Sequence, residues 1–312
     1  MDKVTIIIPT YNSSSTINRC IDSILSQTYK NIEIVVVDDG SNDETLSICS
    51  LYAKKHKQIR VISNKHCGVS KARNTGIESS RGNYLLFVDS DDYIDKSFVK
   101  ELVESSSSLN LAISDINIGD SKCVNFSRES FVKMIVSGEA QGFCVGMLFK
   151  NKLVRFPKDT GYMEDAVYLI RQLNSVKTIK VIKAKYHRED NEKSITRSSG
   201  YNSITNNLIS MHISINKLKK EVPQYTKALT RKEYKITESL LAKVTDKETL
   251  KKILNNQTIH EQLKRHRNIS FPYKIPITLA VRKNTSLLLG YIKIRNRIKR
   301  ILSWSKTKLD CQ

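Results

Sequence analysis

Two clusters of aspartate stand directly after apolar segments of the sequence and are its most evident candidates for chemistry. They are Asp38-Asp39 after Ile32–Val37, and Asp89, Asp91 and Asp92 after Tyr84–Val88. Burying a carboxylate is unfavourable unless it is paired or binds a metal, and neighbouring carboxylates repel one another. A divalent cation relieves both effects, and carboxylate oxygens suit Mg²⁺ or Mn²⁺. The clusters therefore predict a metal-binding site at the ends of two strands.

Strand-like and helical segments alternate over the first hundred residues. The predicted strands are Val4–Ile8, Ile32–Val37, Ile59–Ile62 and Tyr84–Val88, and the first of them stops at Pro9. Helical patterns lie between them at 17–25, from Asn42, and at Gly68–Glu78. This order is typical of parallel strands joined by right-handed crossovers, and strands apolar on both faces suit a covered sheet. The predicted fold class is α/β, with a mostly parallel, Rossmann-like central sheet flanked by helices. Ligands of such sheets bind at the carboxyl ends of the strands, so the polar loops after the first, second and fourth strands are expected to converge.

Beyond the fourth strand the pattern is less regular. It predicts strands at Leu109–Ile116, Phe143–Phe149 and Thr178–Tyr186, and helices at Tyr93–Leu102, Glu129–Val136 and Glu164–Asn174, with Asp92 as the N-cap of the first helix. From Tyr201 the apolar spacing is helical, and Thr245–Glu248 is a capping-box pattern ahead of a further helix. We therefore expect an α/β domain at 1–200 and a basic helical C-terminal region at 201–312.

The chain is strongly basic. It carries 52 Lys and Arg against 31 Asp and Glu, a formal net charge of +21, which favours an anionic partner. Residues 261–312 hold 13 Lys or Arg and two acidic residues, so they supply +11 of this charge. Within them an apolar stripe at helical spacing is interleaved with cations and precedes Trp304; its members are Leu287, Tyr291, Ile294, Ile298 and Ile301. Such a stripe is typical of a helix lying in a membrane interface, and the alternative is that it packs on the first domain.

Cysteine usage and hydropathy bear on location. The six cysteines form no CxxC pair and no metal-ligand spacing, which favours reduced thiols in a cytosolic protein. The start, MDKVTIIIPTYN, lacks the layout of a signal peptide, and no segment approaches the ~20 apolar residues of a membrane-spanning helix. We expect a cytoplasmic protein that lies peripherally on the inner face of the plasma membrane.

Five motifs stand in the order and spacing of a known enzyme family. They are PTYN at 9–12, VVVDDGS at 35–41, GVSKARNTGI at 68–77, YLLFVDSDDY at 84–93 and Met163-Glu164-Asp165. Together they resemble the family 2 glycosyltransferases, which are inverting, nucleotide-sugar-dependent enzymes of the GT-A fold. Leu148–Leu153 followed by Arg155-Phe156-Pro157 is similar to members that act on bacterial surface polysaccharides. The resemblance covers residues 1–200.

The resemblance implies which residues bind the nucleotide sugar. Asp39 would hydrogen-bond the base, normally uracil, and Asp89 would lie close to the ribose. The residues of this site would be Pro9, Thr10 and Tyr11, which shape the base pocket, together with Asp39, Arg73, Asp89 and Ser90.

The resemblance also implies the metal site and the catalytic base. Asp91 would hold the Mg²⁺ or Mn²⁺ that bridges the diphosphate, and His187 is a further candidate for approaching the metal or the diphosphate. Asp165 would be the general base that takes the proton of the acceptor hydroxyl. The leaving diphosphate gains negative charge that a metal and Arg73 would stabilise, and a carboxylate on the far side of the sugar suits inversion.

The function implied is metal-dependent transfer of a hexosyl or N-acetylhexosaminyl group from a UDP-sugar to a hydroxyl of a glycan. The basic tail adds the expectation of a lipid-linked acceptor in capsule, exopolysaccharide or other cell-surface glycan synthesis. Two alternatives remain open. One is a nucleic-acid-binding protein, against which stand the 7% aromatic content and the acidic sheet edge. The other is a catalytically inactive scaffold that binds nucleotide sugar.

Single residues also have simpler explanations. Asp38-Asp39-Gly-Ser could form an ordinary turn, and Glu164-Asp165 could only complement a helix dipole. A lone histidine such as His187 is more often a structural hydrogen bonder, and Lys71 reads as a solvated surface charge.

Overall fold

The computed structural model describes residues 2–107, 109–118, 125–140, 142–189, 201–265, 276, 279–280 and 282–296. The chain divides into two compact units, one of residues 1–191 with 216–229 and the other of 192–215 with 230–312. The division into domains at residue 200 stays a prediction.

The first unit is built on an eight-stranded sheet. Its strands are β1 (Val4–Thr10), β2 (Ile32–Asp38), β3 (Ile59–Ser63), β4 (Tyr84–Phe87), β6 (Asn110–Ile113), β7 (Asn125–Ser127), β8 (Met147–Lys150) and β9 (Thr178–Val181). A separate antiparallel pair is formed by β5 (Tyr93–Ile94) and β10 (Tyr186–His187). The spatial order is β3-β2-β1-β4-β8-β6-β9-β7. The first four strands are parallel, and β8 runs antiparallel to both β4 and β6. The predicted α/β class is confirmed.

Helices stand between these strands along the chain and continue after the last of them. They are α1 (Ile17–Leu25), α2 (Thr45–Lys55), α3 (Val69–Ser79), α4 (Phe98–Ser105), α5 (Arg128–Ser137), α6 (Glu164–Gln172), α7 (Tyr201–Glu221), α8 (Thr226–Leu241), α9 (Lys247–Asn255) and α10 (Gln257–Arg265), with a further helix at 285–296. All seven residues of β1 and of β2 are buried, which agrees with their β-branched, continuously apolar sequences. The core of the unit therefore lies at these central strands.

Pro9 lies inside β1 at the point where the pairing of β1 with β4 ends. The Ile7 carbonyl accepts from Val88 on the β4 side, and the Thr10 carbonyl accepts from Asp39 on the β2 side. Residues alternate along a strand, so the Pro9 nitrogen faces β4, whose register with β1 ends at Ile7. Proline has no N–H to extend the ladder with β4, whereas the pairing with β2 carries β1 on to Thr10, beyond the predicted end.

The region after β4 differs from the prediction. Tyr93 and Ile94 pair with β10 instead of beginning a helix, and α4 begins at Phe98. Asp92 is therefore no N-cap: its carboxylate accepts from the Tyr186 hydroxyl at 2.8 Å and from the Glu189 N–H at 3.1 Å. The expected closing strand is divided into β9 and β10 for the same reason.

The capping box also differs in detail. The N-cap of α9 is Asp246, whose carboxylate accepts from the Thr249 N–H at 2.7 Å, and not Thr245. The capping residue is thus an aspartate one position further on, and the N–H that it satisfies is that of Thr249 instead of Glu248.

The described part of the second unit is mainly helical, and the helix at 285–296 packs within it. Leu288 and Ile292 are buried, whereas Leu287 and Ile294 are 60% and 64% exposed. The Arg295 guanidinium pairs with Glu238 on α8 at 2.9 Å. Of the predicted apolar stripe, Leu287 and Ile294 are thus on the surface and Tyr291 is half-buried. Its members Ile298 and Ile301, like Trp304 beyond them, lie outside the described residues. None of the described helices is both long and apolar enough to span a membrane.

Candidate active site

The polar loops after β1, β2 and β4 meet at one edge of the sheet. These three strands are neighbours and run parallel, so their carboxyl ends lie side by side. The Asp39 N–H donates to the Thr10 carbonyl at 2.8 Å, and the hydroxyls of Ser13 and Ser90 are 2.8 Å apart. The expected convergence of the strand-end loops is present in the structure.

Arg73 links three carboxylates at this edge. Its guanidinium donates to Asp165 Oδ1 at 2.7 Å and to Asp89 Oδ1 at 3.1 Å, and it lies 3.7 Å from Glu164 Oε1. The Arg73 side chain is only 5% exposed. Burial alone lowers the pKa of a guanidinium, but the carboxylates, Asp165 first, raise the pKa of Arg73 well above its usual range. Arg73 is therefore a fixed positive charge that joins the β4 end to the start of α6.

The position of Arg73 is set by the packing of α3. A Cβ at Gly76 would lie 2.4 Å from Ile7 Cγ2, so the glycine lets α3 approach β1 closely. The side chain of Asn74, the residue after Arg73 on α3, exchanges two hydrogen bonds with the Phe156 backbone, at 2.8 and 3.0 Å. The Phe156 ring in turn lies 5.3 Å from the Arg73 guanidinium carbon. These contacts hold the guanidinium in one orientation.

Asp165 and Glu164 begin α6 in different environments. Asp165 accepts from Arg73 and also from the Cys144 N–H at 3.3 Å, and its side chain is 17% exposed. Burial, followed by the neighbouring Asp165 charge, raises the pKa of Glu164 to about 7. Of the two, Asp165 makes the shorter contact with Arg73, at 2.7 Å against 3.7 Å for Glu164.

Asp39 is buried and bonded to the loop before α3. Its carboxylate accepts from the Cys67 N–H at 3.0 Å and the Gly68 N–H at 2.8 Å. Next to it in β1, Thr10 is buried and its hydroxyl has no partner within the described residues. Pro9 is buried in the same strand. The structure thus brings together the three buried members of the predicted base pocket.

Tyr11, the exposed member of that pocket, lies against His66, which the motifs did not single out. The two ring centroids are 4.2 Å apart, at an interplanar angle of 31°. His66 Nδ1 is 3.0 Å from the Asp39 carbonyl oxygen and 3.2 Å from Asp39 Oδ2. The His66 imidazole therefore covers the Tyr11 ring and the Asp39 carboxylate, which the resemblance assigns to nucleobase binding.

Tyr186 is a second residue that sequence reasoning missed. Its hydroxyl accepts from the Asp89 N–H at 3.1 Å and donates to Asp92 Oδ2 at 2.8 Å. Burial, followed by the Asp89 charge, raises the pKa of Asp92 to about 7. Asp92 is therefore a buried acceptor that braces the loop carrying Asp89. The signal for Tyr186 in the sequence was its place as the aromatic residue of Tyr186-His187-Arg188.

Asp91 is half-buried, and its backbone is held from α1. Arg19 donates to the Asp91 carbonyl oxygen at 2.8 Å and to Glu189 Oε1 at 2.7 Å. His187 lies against other groups: its Nε2 is 2.8 Å from Asp95 Oδ1, and its ring stacks on Tyr93 at 4.4 Å. These are the contacts of a structural hydrogen bonder.

A metal at this edge has a limited set of protein ligands. Across the described part of the chain, no three His, Cys, Asp or Glu side chains form a metal-holding group. Asp89 is bonded to Arg73, and Asp91 is the other carboxylate of the Asp-x-Asp motif at this strand end. Mg²⁺ commonly binds one or two carboxylates together with substrate phosphates and water. The residues present fit a metal held mainly by its substrate.

Comparisons with known proteins place the chain in a family. The model of Glycosyl transferase family 2 matches residues 5–170. Glycosyltransferase GlyA of Streptococcus pneumoniae is 48% identical over 101 residues, which are 32% of this chain and 14% of that protein. The putative glycosyltransferase EpsH of Bacillus subtilis is 26% identical over 205 residues, 59% of this chain and 60% of the relative. The chain therefore matches less than two thirds of the length of these relatives.

Solved structures share the fold at low identity. TarS 1-349 of S. aureus superposes with a TM-score of 0.56 at 21% identity, covering 94% of this chain and 87% of TarS 1-349. The mannosyltransferase PcManGT of Pyrobaculum calidifontis, solved with GDP-Man and Mn²⁺, gives 0.52 at 17% identity, covering 95% and 87%. The predicted GT-A fold is confirmed, and so is the resemblance to bacterial surface-polysaccharide members of the family. Since the family model spans more than half of the sequence, the chain belongs to glycosyltransferase family 2.

Proposed function

We propose that this chain transfers a sugar from a UDP-sugar to a hydroxyl of a glycan acceptor, with inversion at the anomeric carbon. The proposal rests on the buried Arg73. Its guanidinium donates both to Asp89, after β4, and to Asp165, at the start of α6. A further TarS structure, with a TM-score of 0.53, contains UDP, which supports the choice of nucleotide. The donor would be a hexose or an N-acetylhexosamine.

Each carboxylate has a separate task in this reaction. Asp39, with Tyr11 beside it, takes the nucleobase, and Asp89, with Ser90, faces the ribose. The acceptor oxygen forms its bond to the anomeric carbon as the bond to the diphosphate breaks, and the acceptor proton passes to Asp165. Once Asp165 is protonated, its attraction for Arg73 weakens, and the guanidinium charge becomes available to the departing diphosphate. Proton transfer and leaving-group stabilisation are thus coupled through one side chain.

A divalent cation fits beside Asp91. We propose Mg²⁺ or Mn²⁺, held by Asp91 together with diphosphate oxygens and water, and the Mn²⁺ of PcManGT supports this assignment. When bound, the metal neutralises charge on the leaving diphosphate. Arg19, through its bond to the Asp91 carbonyl, fixes the loop on which this ligand stands.

The acceptor is proposed to be a lipid-linked surface glycan, met at the inner face of the membrane. Residues 1–200 would form the catalytic domain, and 201–312 would associate with the membrane through basic residues and the exposed Leu287 and Ile294. A relative from Bacillus spizizenii, 32% identical over 197 residues (57% of this chain and 31% of that protein), is a poly(ribitol-phosphate) beta-glucosyltransferase. That name supports an acceptor belonging to a cell-surface polymer.

A panel of nucleotide sugars tests the proposal. Thermal unfolding is followed with UDP-, GDP- and CDP-sugars, each with Mn²⁺ and with EDTA. We expect one UDP-sugar to raise the Tm only when the metal is present, and to be hydrolysed slowly without an acceptor. If no nucleotide changes the Tm while mixed DNA or RNA binds tightly at physiological salt, the nucleic-acid alternative is correct. Metal-dependent binding without hydrolysis or transfer would indicate the scaffold.

A further inference from the structure

A cavity of about 510 Å³ lies between the N-terminus of α3 and the segment 158–161. It is separate from the strand-end loops: none of the predicted nucleotide-sugar, metal or base residues lines it. The two are nevertheless adjacent, because Cys67 and Gly68 line the cavity and also donate to Asp39. No predicted role of the chain accounts for this space.

The first turn of α3 presents open donors to the cavity. Gly68, the N-cap, has no side chain, and no side-chain acceptor caps the helix. Within the described chain no acceptor reaches the backbone N–H groups of Val69 and Ser70, both of which line the cavity. The N-terminus of an 11-residue helix with free N–H groups attracts anions.

The charged residues that line the cavity also favour an anion. Lys71 and Lys158 line it, and neither forms an ion pair with any described residue. The acidic residue in the lining, Asp159, is paired with Lys217 at 3.5 Å. The net charge offered to a ligand is therefore positive. Lys71, which reads as a solvated surface charge in the sequence, is exposed but stands at the wall of this cavity.

A buried hydroxyl supplies an independent observation. Thr160 is 5% exposed and lines the cavity, and its hydroxyl has no hydrogen-bond partner in the described structure. Its carbonyl is occupied by the Ser70 hydroxyl at 3.4 Å. A buried hydroxyl without a partner is costly, and an oxygen of a bound ligand would satisfy it.

We propose that this cavity binds a phosphate group carried by the acceptor. Each wall of the cavity is linked to Asp165, the proposed general base. On the α3 side, Arg73 follows Lys71 by two residues and bonds Asp165. On the other side, Thr160 precedes Asp165 by five positions. An acceptor held here by its phosphate would present a neighbouring hydroxyl to Asp165. The identification of the ligand as the acceptor rests on the proposed function, whereas the anion site rests on the cavity alone.

Glycerol 3-phosphate is the probe, and glycerol is its uncharged counterpart. Binding is measured by calorimetry and by the Tm, with and without saturating UDP and Mg²⁺. We expect glycerol 3-phosphate, but not glycerol, to raise the Tm further when UDP is already bound. Lys71→Met/Lys158→Met should weaken this binding by at least about tenfold, because hydrogen bonds to charged groups are lost. Lys54→Met/Lys55→Met, the same charge change on exposed residues of α2, should leave it unchanged.

Three results would overturn the proposal. One is equal affinity for glycerol 3-phosphate in wild type and the Lys71→Met/Lys158→Met protein. Another is loss of the phosphate effect once UDP is bound, which would assign the anion to the nucleotide site. The third is an unchanged affinity in a folded Thr160→Val protein. Failure of UDP itself to bind would contradict the proposed function, while the titration without UDP would still report on the cavity.

Discussion

At the scale of single residues, the site is centred on a buried cation. Arg73 satisfies Asp165, Asp89 and Glu164 at once, and its Nε has no partner among the described residues. Breaking a buried ion pair by removing one partner costs about 3–5 kcal/mol, because a charge remains uncompensated. Variants that test chemistry should therefore keep a hydrogen-bond acceptor opposite the guanidinium.

Asp165→Asn meets that condition. The amide oxygen can still accept from Arg73, but it cannot take a proton, so turnover should fall by about 10²–10⁴. UDP affinity should change little. Both are measured on one preparation, turnover by release of UDP from the UDP-sugar and affinity by calorimetry. Asp115→Asn, which alters an exposed aspartate paired with Lys185, is the control. Full turnover in Asp165→Asn would remove this residue from the mechanism.

His66→Ala should increase the affinity for UDP. The imidazole lies against the Tyr11 ring and contacts Asp39, so a nucleobase using those two residues must first displace it. Removing the ring removes that cost, as the population of binding-competent protein rises. His56→Ala, which removes a ring stacked on Tyr52, is the matched control. Weaker UDP binding in His66→Ala would instead show that the ring contacts the bound nucleotide.

At the scale of elements, α3 positions the site by its close approach to β1. The helix carries Arg73 and Asn74 on its buried face and contacts Ile7 through Gly76. A change in that spacing would move the guanidinium relative to Asp89, which stands at the end of β4. The packing of one helix thus controls the geometry of the ion-pair cluster.

Gly76→Ala tests this packing. The added Cβ would lie 2.4 Å from Ile7 Cγ2, so the core must shift, and the free energy of unfolding should fall by about 1–3 kcal/mol. UDP affinity should fall with it. Gly290→Ala in the helix at 285–296 meets no atom within 4 Å and should be neutral or stabilising by up to about 1 kcal/mol. Urea denaturation compares the two, and equal stability of Gly76→Ala and wild type would contradict the packing account.

The sequence predicted elements whose signals are local. The β-branched runs of β1 and β2 and the apolar run of β4 mark strands by composition. The aspartates after β2 and β4 mark the site because parallel strands end together. The pairing of Tyr93-Ile94 with Tyr186-His187 was missed because it joins distant parts of the chain. His66 and Tyr186 were missed for the same reason, since each acts through a partner brought near only by folding.

At the scale of the whole molecule, charge and exposed apolar residues are the signs of a partner surface. The net charge is +21, and the helix at 285–296 leaves Leu287 and Ile294 exposed beside basic residues. Each Lys or Arg near an anionic leaflet contributes about 1 kcal/mol, and salt screens that attraction. Attachment through this region would bring the enzyme to a lipid-linked acceptor.

Leu287→Ser/Ile294→Ser should reduce binding to vesicles that contain phosphatidylglycerol. The apolar contact is lost while the charge is kept, so the remaining binding should become more sensitive to salt. Co-sedimentation at low and physiological salt measures it, with neutral phosphatidylcholine vesicles as reference. Leu51→Ser/Leu109→Ser removes two exposed leucines of the first unit as a control. Equal binding of both double variants would exclude this helix from membrane attachment.

The most direct test concerns the cation beside Asp91. UDP is titrated calorimetrically into wild type and Asp91→Ala, each with Mn²⁺ and with EDTA. The predicted result is metal-dependent binding by the wild type, at least about tenfold tighter than with EDTA, and no effect of metal on Asp91→Ala. Equal UDP affinity with and without metal in the wild type, or an unchanged metal effect in Asp91→Ala, would contradict a metal held at this strand end.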